Sequence, residues 1–239
     1  MPRDLSQIRA LTFDVGGTVF DWHSTIRDEV IRLATARGMD VDAPKFANEW
    51  RAKMFELLGQ VRRAELPWMN ADALHRMALD EIAPKQPGFQ LSAGQRDELN
   101  TVWHRLRAWP DFAGALERLR PRYTVVVLTV LSWSLVVDSS KHNGLSWDGI
   151  LSCEFLGHYK PDREAYESSV SMLGLQPSQV MMVAAHPSDL RASAVAGLAT
   201  AYVPRPGERG DPTVPDRSPI PEFDVSARDF TDLANKLVG

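Results

Sequence analysis

Residues 9–22, RALTFDVGGTVFDW, limit the fold more than any other stretch of this chain. An apolar run carrying Leu11, Phe13 and Val15 meets Gly16 and Gly17 and resumes at Thr18, so a buried strand ends beside Asp14 at a glycine turn. A carboxylate in that position is costly to bury unless it is hydrogen-bonded or put to use. Open α/β sheets bind their ligands at the carboxyl ends of strands, which makes Asp14 a candidate for chemistry. Capping the turn is its plainer role.

Three further core-like segments finish in polar groups. Val127-Leu128 runs into Thr129, Ile150-Leu151 into Ser152 with Lys160 shortly after, and Met182-Val183 is followed by Asp189. In a parallel sheet those ends converge on one crevice. From residue 109 onward, strand patterns (123–128, 180–184, 199–203) alternate with helical ones, which implies a doubly wound parallel sheet. Between 23 and 108 only helical spacing recurs. Ile26, Val30 and Leu33 mark one helix, and Phe46, Trp50, Met54, Leu58 and Val61 a second. Asn70 is a good N-cap for a third, and Ser92 with Gln95 forms a capping box opening a fourth that carries Leu99, Val102, Trp103 and Leu106. The expected organisation is therefore an α/β core from residues 1–22 and 109–239, interrupted by an all-helical unit at 23–108. The proline-rich stretch 204–221 reads as a loop.

Composition removes several function classes. The net charge of -4 comes without a Lys/Arg block, which argues against a nucleic-acid partner. No apolar run approaches the length of a membrane span, and the N-terminus lacks a signal core, so a soluble, cytoplasmic protein is expected. Cys153 is the single cysteine, which forbids an internal disulfide and is most simply a small core residue.

The ordered set Asp14 and Thr18 in DVGGT, Trp50-Arg51, Thr129 after VVVL, Tyr159-Lys160-Pro161 with Tyr166, and Asp189 in VAAHPSDL resembles the haloacid dehalogenase superfamily, and within it the type II 2-haloacid dehalogenases. The resemblance runs from about residue 8 to 206. It implies a Rossmann-like core with a helical cap over the active site, no cofactor, and a homodimer. It also implies that Asp14 is a nucleophile that forms an aspartyl ester with a small carboxylate substrate, and that Arg51 holds the substrate or its departing halide.

Physical chemistry gives these residues coherent duties. A carboxylate nucleophile splits one hard displacement into two easier steps. Lys160 would keep Asp14 ionised, while the hydroxyls of Thr18 and Thr129 would orient it. Asp189 would either hold Lys160 and help activate water, or join Asp14 in binding a divalent ion. Superfamily phosphatases carry a second acid two residues after the nucleophile and usually another four residues before the position of Asp189. Here those places are Gly16 and Ala185, neither of which can protonate a leaving group or ligate Mg²⁺, so metal-free chemistry is favoured. Trp50, Phe55, Trp68, Trp103 and Trp109 are candidate pocket walls, and Tyr166 is a candidate substrate contact.

Three positions depart from the dehalogenase pattern. Gly16 replaces a bulky aromatic, Val130 an asparagine, and Ala184 with His186 a serine/asparagine pair. A roomier, more apolar pocket is the expectation, with Gly16 bordering it, backbone N–H groups of Val130 and Leu131 receiving an anion, and His186 restoring some polarity. Hydrolytic dehalogenation of a small 2-haloacid is thus the leading reading. A fluoroacid or a strained cyclic amino acid is a variant substrate, and a Mg²⁺-dependent phosphatase or a non-catalytic binding protein is the competitor.

Overall fold

The computed structural model describes residues 3–211 and 222–239. Among them six parallel strands form one sheet: β1 (Ala10–Phe13), β4 (Thr124–Thr129), β5 (Gly149–Ser152), β6 (Val180–Ala184), β7 (Ala199–Tyr202) and β8 (Val225–Ser226). Their order is β5-β4-β1-β6-β7-β8, so the strand leading into Asp14 lies centrally between β4 and β6. Phe13 pairs with Val127 on one side and Val183 on the other, which aligns the three strand ends beside one another.

Alternation along the strands divides the apolar side chains between two faces. Leu11, Phe13, Val125, Val127, Met181 and Val183 belong to one cluster. There Phe13 meets Phe112 of α5 (Phe112–Leu119) and Phe230 of α10 (Phe230–Val238) with ring centroids 5.7 and 6.0 Å away. Ala10, Leu128, Met182 and Tyr202 belong to the other cluster, covered by Tyr166 and Val170 of α8 (Arg163–Met172) and Leu190 of α9 (Pro187–Val195). Two further helices, α6 (Trp133–His142) and the short α7 (Cys153–Leu156), follow β4 and β5. The doubly wound parallel sheet is the architecture the alternating pattern predicts.

The intervening helices leave and rejoin the core at a two-stranded antiparallel ribbon, β2 (Phe20–Asp21) with β3 (Arg107–Ala108). Between them run α1 (Trp22–Arg37), α2 (Ala43–Arg62), α3 (Ala71–Ile82) and α4 (Ala93–Asn100). Local chemistry sets several starts. Asp21, Asp42 and Asn70 each accept a backbone N–H from the first turn, and Ser92 with Gln95 completes a reciprocal capping box. The fourth helix does not run as one α-helix to Leu106, because after Asn100 the chain tightens into a 3-10 segment over Thr101–Arg105. That segment seats Trp103 against Trp22 and Trp50.

Beyond the expected set lie β8 and α10, as well as the β2–β3 ribbon and the short α7. Val225-Ser226 is too short to show alternation, and it is held as a strand only by pairing with Ala201 and Tyr202. The loop reading of 204–221 applies to 204–211, which is turn and coil; residues 212–221 lie outside the described part. None of the described helices is long and apolar enough to cross a membrane.

Candidate active site

Asp14 follows β1 directly and is tied to the sheet by its N–H donating to Val183 O at 3.0 Å. Only 6% of it is exposed, and its two oxygens have separate partners. Oδ1 receives the Lys160 ammonium at 2.9 Å. Oδ2 receives the Thr18 hydroxyl at 2.6 Å and lies 3.1 Å from His186 Nδ1. The direction of the Thr18 bond is set by the backbone. Thr18 Oγ1 accepts the Ala185 N–H at 2.9 Å, which leaves its own proton for Asp14. Burial opposes ionisation of Asp14, but Lys160, His186 and Thr18 outweigh it and hold the carboxyl far below the usual carboxylate range. The group is a carboxylate at any pH at which the protein would work.

Lys160 also donates to Asp189 Oδ2 at 2.6 Å, so its ammonium is clamped between two buried carboxylates. Desolvation would strip its proton, yet Asp14 and Asp189 raise its pKa above the ordinary lysine value. Tyr166 does more than pack, since its hydroxyl donates to Asp189 Oδ1 at 2.5 Å. The positive charge between Asp14 and Asp189 is thus supplied by an amine. The described residues include no cluster of three or more carboxylate, histidine or cysteine side chains arranged to hold a metal.

A cleft of about 980 Å³ opens over this cluster between the sheet end and α2. Asp14, Gly16, Arg51, Thr129, Val130, Lys160, Tyr166, His186 and Asp189 all border it. Arg51 reaches down from α2 and donates through Nη2 to Gly16 O at 2.8 Å. Its guanidinium lies over Phe55 and Trp22 at 4.8 and 5.0 Å from the ring centroids. Burial pulls the Arg51 pKa down and Glu208 and Asp14 oppose the change. Nη1 is buried and has no hydrogen-bond partner among the described residues. An unpartnered charged donor at the wall of a cleft is a ready place for an anion.

Four expectations need correction. Trp50 is not a wall of the cleft: it is fully buried, donating to His75 O at 2.7 Å and packing edge-on against Trp103. Its neighbour Arg51 faces the cleft because adjacent residues on a helix diverge by about 100°. Leu131 does not border the cleft either, and its N–H is taken by Thr129 Oγ1 at 3.1 Å. Thr129 Oγ1 accepts that bond, and among the described residues no hydrogen bond joins its hydroxyl to Asp14, whose partners are Lys160, Thr18 and His186. Finally, the space beside Gly16 is not an apolar enlargement. A Cβ there would stand 3.1 Å from Arg51 Nη2, so the small residue admits the guanidinium, and charged groups gather at this end of a cleft whose lining surface is otherwise mostly apolar, as expected. Of the five candidate wall aromatics only Phe55 borders it, joined by Trp22, while Trp68, Trp103 and Trp109 do not.

Glu208 is the residue that the sequence concealed. It lies in the proline-rich loop, accepts Trp22 Nε1 at 2.9 Å, and stands 2.9 Å from His186 Nε2. Its approach explains Gly17. At φ 102° the backbone there suits glycine, and a Cβ would fall 2.1 Å from Glu208 Oε1. Burial favours the protonated acid, but His186 and Arg51 bring the Glu208 pKa down to about 2.

Strand-end carboxylate, clamped lysine and overlying arginine define the site of a hydrolase built on this sheet, and the chain belongs to the haloacid dehalogenase-like hydrolase family, whose model matches residues 8–197. Among characterised relatives it is 28% identical to (S)-2-haloacid dehalogenase 4A of Burkholderia cepacia, over 85% of this chain and 86% of that one. It is 25% identical to haloacetate dehalogenase H-2 of Moraxella sp. (strain B), over 94% and 96% of the two chains. Among solved structures, a defluorinating L-2-haloacid dehalogenase superposes with a TM-score of 0.92 at 36% identity, covering 97% of this chain and 96% of that one. Another L-2-haloacid dehalogenase superposes with a TM-score of 0.91 at 34% identity, covering 96% and 98%.

Proposed function

We propose that the protein is a 2-haloacid dehalogenase that acts through an ester on Asp14. The observation that carries this reading is the buried Asp14 carboxylate, 2.9 Å from the Lys160 ammonium, beneath a guanidinium with an unpartnered donor. Asp14 Oδ1 attacks the carbon bearing the halogen, a C–O bond forms as the C–X bond breaks, and halide departs. Water then adds to the ester carbonyl, giving one proton to Asp189, which returns it to the departing alkoxide. The product is a 2-hydroxy acid, and Asp14, now carrying the water oxygen, returns to a carboxylate by losing water's second proton to solvent, so that one proton is released with each halide. Arg51 receives an anion, either the substrate carboxylate or the halide. Val130 borders the same space, and Thr18 orients the nucleophile. Tyr166 holds Asp189 on the far side of Lys160.

Residues 23–108 serve in this reading as a cap over the core formed by 1–22 and 109–239, closing the cleft and excluding water from the first step. No metal takes part in this reading; Lys160 supplies the positive charge between the two acids. Similarity to a defluorinating enzyme supports fluoride among the leaving groups, and charged donors such as Arg51 suit so strongly accepting an anion. A cytoplasmic homodimer is the expected form.

Single turnover in H₂¹⁸O followed by mass spectrometry tests the route. Label entering the peptide that contains Asp14 is the expected result. Label confined to the product would mean direct attack by water and would refute the ester.

A further inference from the structure

We propose that His186, held at its far nitrogen by Glu208, is the oxyanion-binding group of the ester-hydrolysis step, its Nδ1–H converging with the Thr18 hydroxyl on Asp14 Oδ2. This rests on the ester reading above and assigns to that reaction two side chains that it leaves without a role.

The argument begins with the number of ring nitrogens available. Nδ1 of His186 stands 3.1 Å from Asp14 Oδ2 and Nε2 stands 2.9 Å from Glu208 Oε2, so neither is free to take a proton from water. Flanked by two carboxylates, the ring is in the form that donates at both ends. Burial disfavours its charge, but Glu208 and Asp14 prevail and push its pKa up to about 10. Oδ2 therefore receives two donors, Thr18 and His186, while Oδ1 has Lys160. Such a division suits Oδ1 to attack and Oδ2 to remain the carbonyl oxygen of the ester. When water adds to that carbonyl, a C–O bond forms and the π pair moves to Oδ2. The negative charge then grows on the atom at which two preorganised donors already point. Collapse of the intermediate returns the pair, breaks the bond to the former Oδ1, and releases the alkoxide that Asp189 protonates.

Glu208 has a separate necessity. Once Asp14 is esterified it is neutral, and one of the two charges that keep His186 protonated is gone. Glu208 alone then holds the imidazolium. The charged groups around the ring are Asp14 at the end of β1 and Glu208 on the loop, with Lys160 against Asp14 and Arg51 toward Glu208 behind them. Asp189, on the helix that His186 opens, is turned toward Lys160 and Tyr166. Glu208 is thus a positioning residue and His186 a catalytic one. The tight approach of Glu208 to Gly17, where a Cβ would push the carboxylate aside, ties the loop to the nucleophile turn.

Rapid-quench kinetics with chloroacetate and (S)-2-chloropropanoate, with intact-protein mass measured at each time, separates the two half-reactions. In His186→Ala the first halide per site is expected at near the wild-type rate, while kcat falls about 100-fold and the ester accumulates on Asp14. Glu208→Gln retains the size and polarity of the side chain, so it guards against misfolding as the cause. With the carboxylate gone the ring loses its proton at lower pH, and the alkaline limb of ester decay should move to lower pH than in wild type. Slowing of halide release in parallel with kcat and without ester would overturn the assignment, as would an unmoved alkaline limb. If wild-type protein releases halide and both variants hydrolyse the ester normally, only this inference falls. If wild-type protein releases none from either substrate, the dehalogenase reading falls with it.

Discussion

Two histidines in this molecule share one local chemistry and differ in everything that surrounds it. His186 stands between Asp14 and Glu208 with 31% of its side chain exposed. His104 stands between Asp138 at 2.7 Å and Asp72 at 3.1 Å with 29% exposed. Hydrogen bonding to Asp72 and Asp138 overcomes desolvation and pushes His104 up to about 9. Yet Asp72 opens α3 and Asp138 belongs to α6, so His104 fastens the helical unit to the core away from the cleft. His186 touches the carboxylate at which the reaction is proposed to occur. A carboxylate-imidazole-carboxylate array is therefore not a functional signal in itself. What distinguishes the two is whether one of the acids stands at a strand end, in a cleft, beside a buried amine.

The comparison breaks or holds at its acids first. Asp14→Asn should lower turnover about 10⁴-fold or more, as removal of a covalent nucleophile does. The melting temperature should stay within a few degrees, because Lys160 retains Asp189. Asp72→Asn, the corresponding change at His104, should leave kcat within a few-fold and lower the melting temperature. Comparable activity in the two variants would erase the distinction.

Removing the amine is the next largest perturbation. Lys160→Met leaves Asp14 and Asp189 buried without their cation, and loss of one partner of a buried pair costs about 3–5 kcal/mol. Urea unfolding should show that loss, and turnover should collapse with it. Unchanged stability would mean that the clamp is not formed in solution.

A pH series sharpens the contrast further. The ordinary histidine value is 6.5 and the folded value of His104 is about 9, so its contribution to stability is complete below the former and disappears as pH rises through the latter. The melting-temperature gap between wild type and His104→Asn should therefore be widest near pH 6, the lower of those two regimes, and close above the folded pKa of about 9. A gap that widens with pH would reverse the assigned protonation. The smallest effect is expected from Trp50→Phe, which leaves His75 O without its donor and should cost about 1–3 kcal/mol with KM unaltered. A raised KM would restore Trp50 to the pocket wall.

Strand ends and helix starts were legible because their causes are local. Asp14 announces itself by sitting between an apolar run and two glycines, and Asn70 and Ser92-Gln95 cap helices through bonds made within four residues. Lys160 and Asp189 were readable through the ordered motifs, though nothing local says that their charges lie 2.6 Å apart. Arg51 and Trp50 carried equal claims until the facing of α2 separated them. Glu208 carried none, for its loop has no periodicity and its neighbours in space are distant in sequence. β8 escaped notice for the same reason, being a strand only because β7 offers it partners.

By itself, then, the order of residues determined a parallel sheet with a carboxylate at the end of its central strand and helices inserted soon after, since hydrophobic period, caps and turns act over a few residues. Only the tertiary structure decided which oxygen of that carboxylate meets which donor, that a guanidinium occupies the room left at Gly16, and that Glu208 stands behind His186. Those arrangements depend on burial and on charges brought together from remote parts of the chain, and Coulomb interactions in a desolvated site follow distance in space and not separation in sequence.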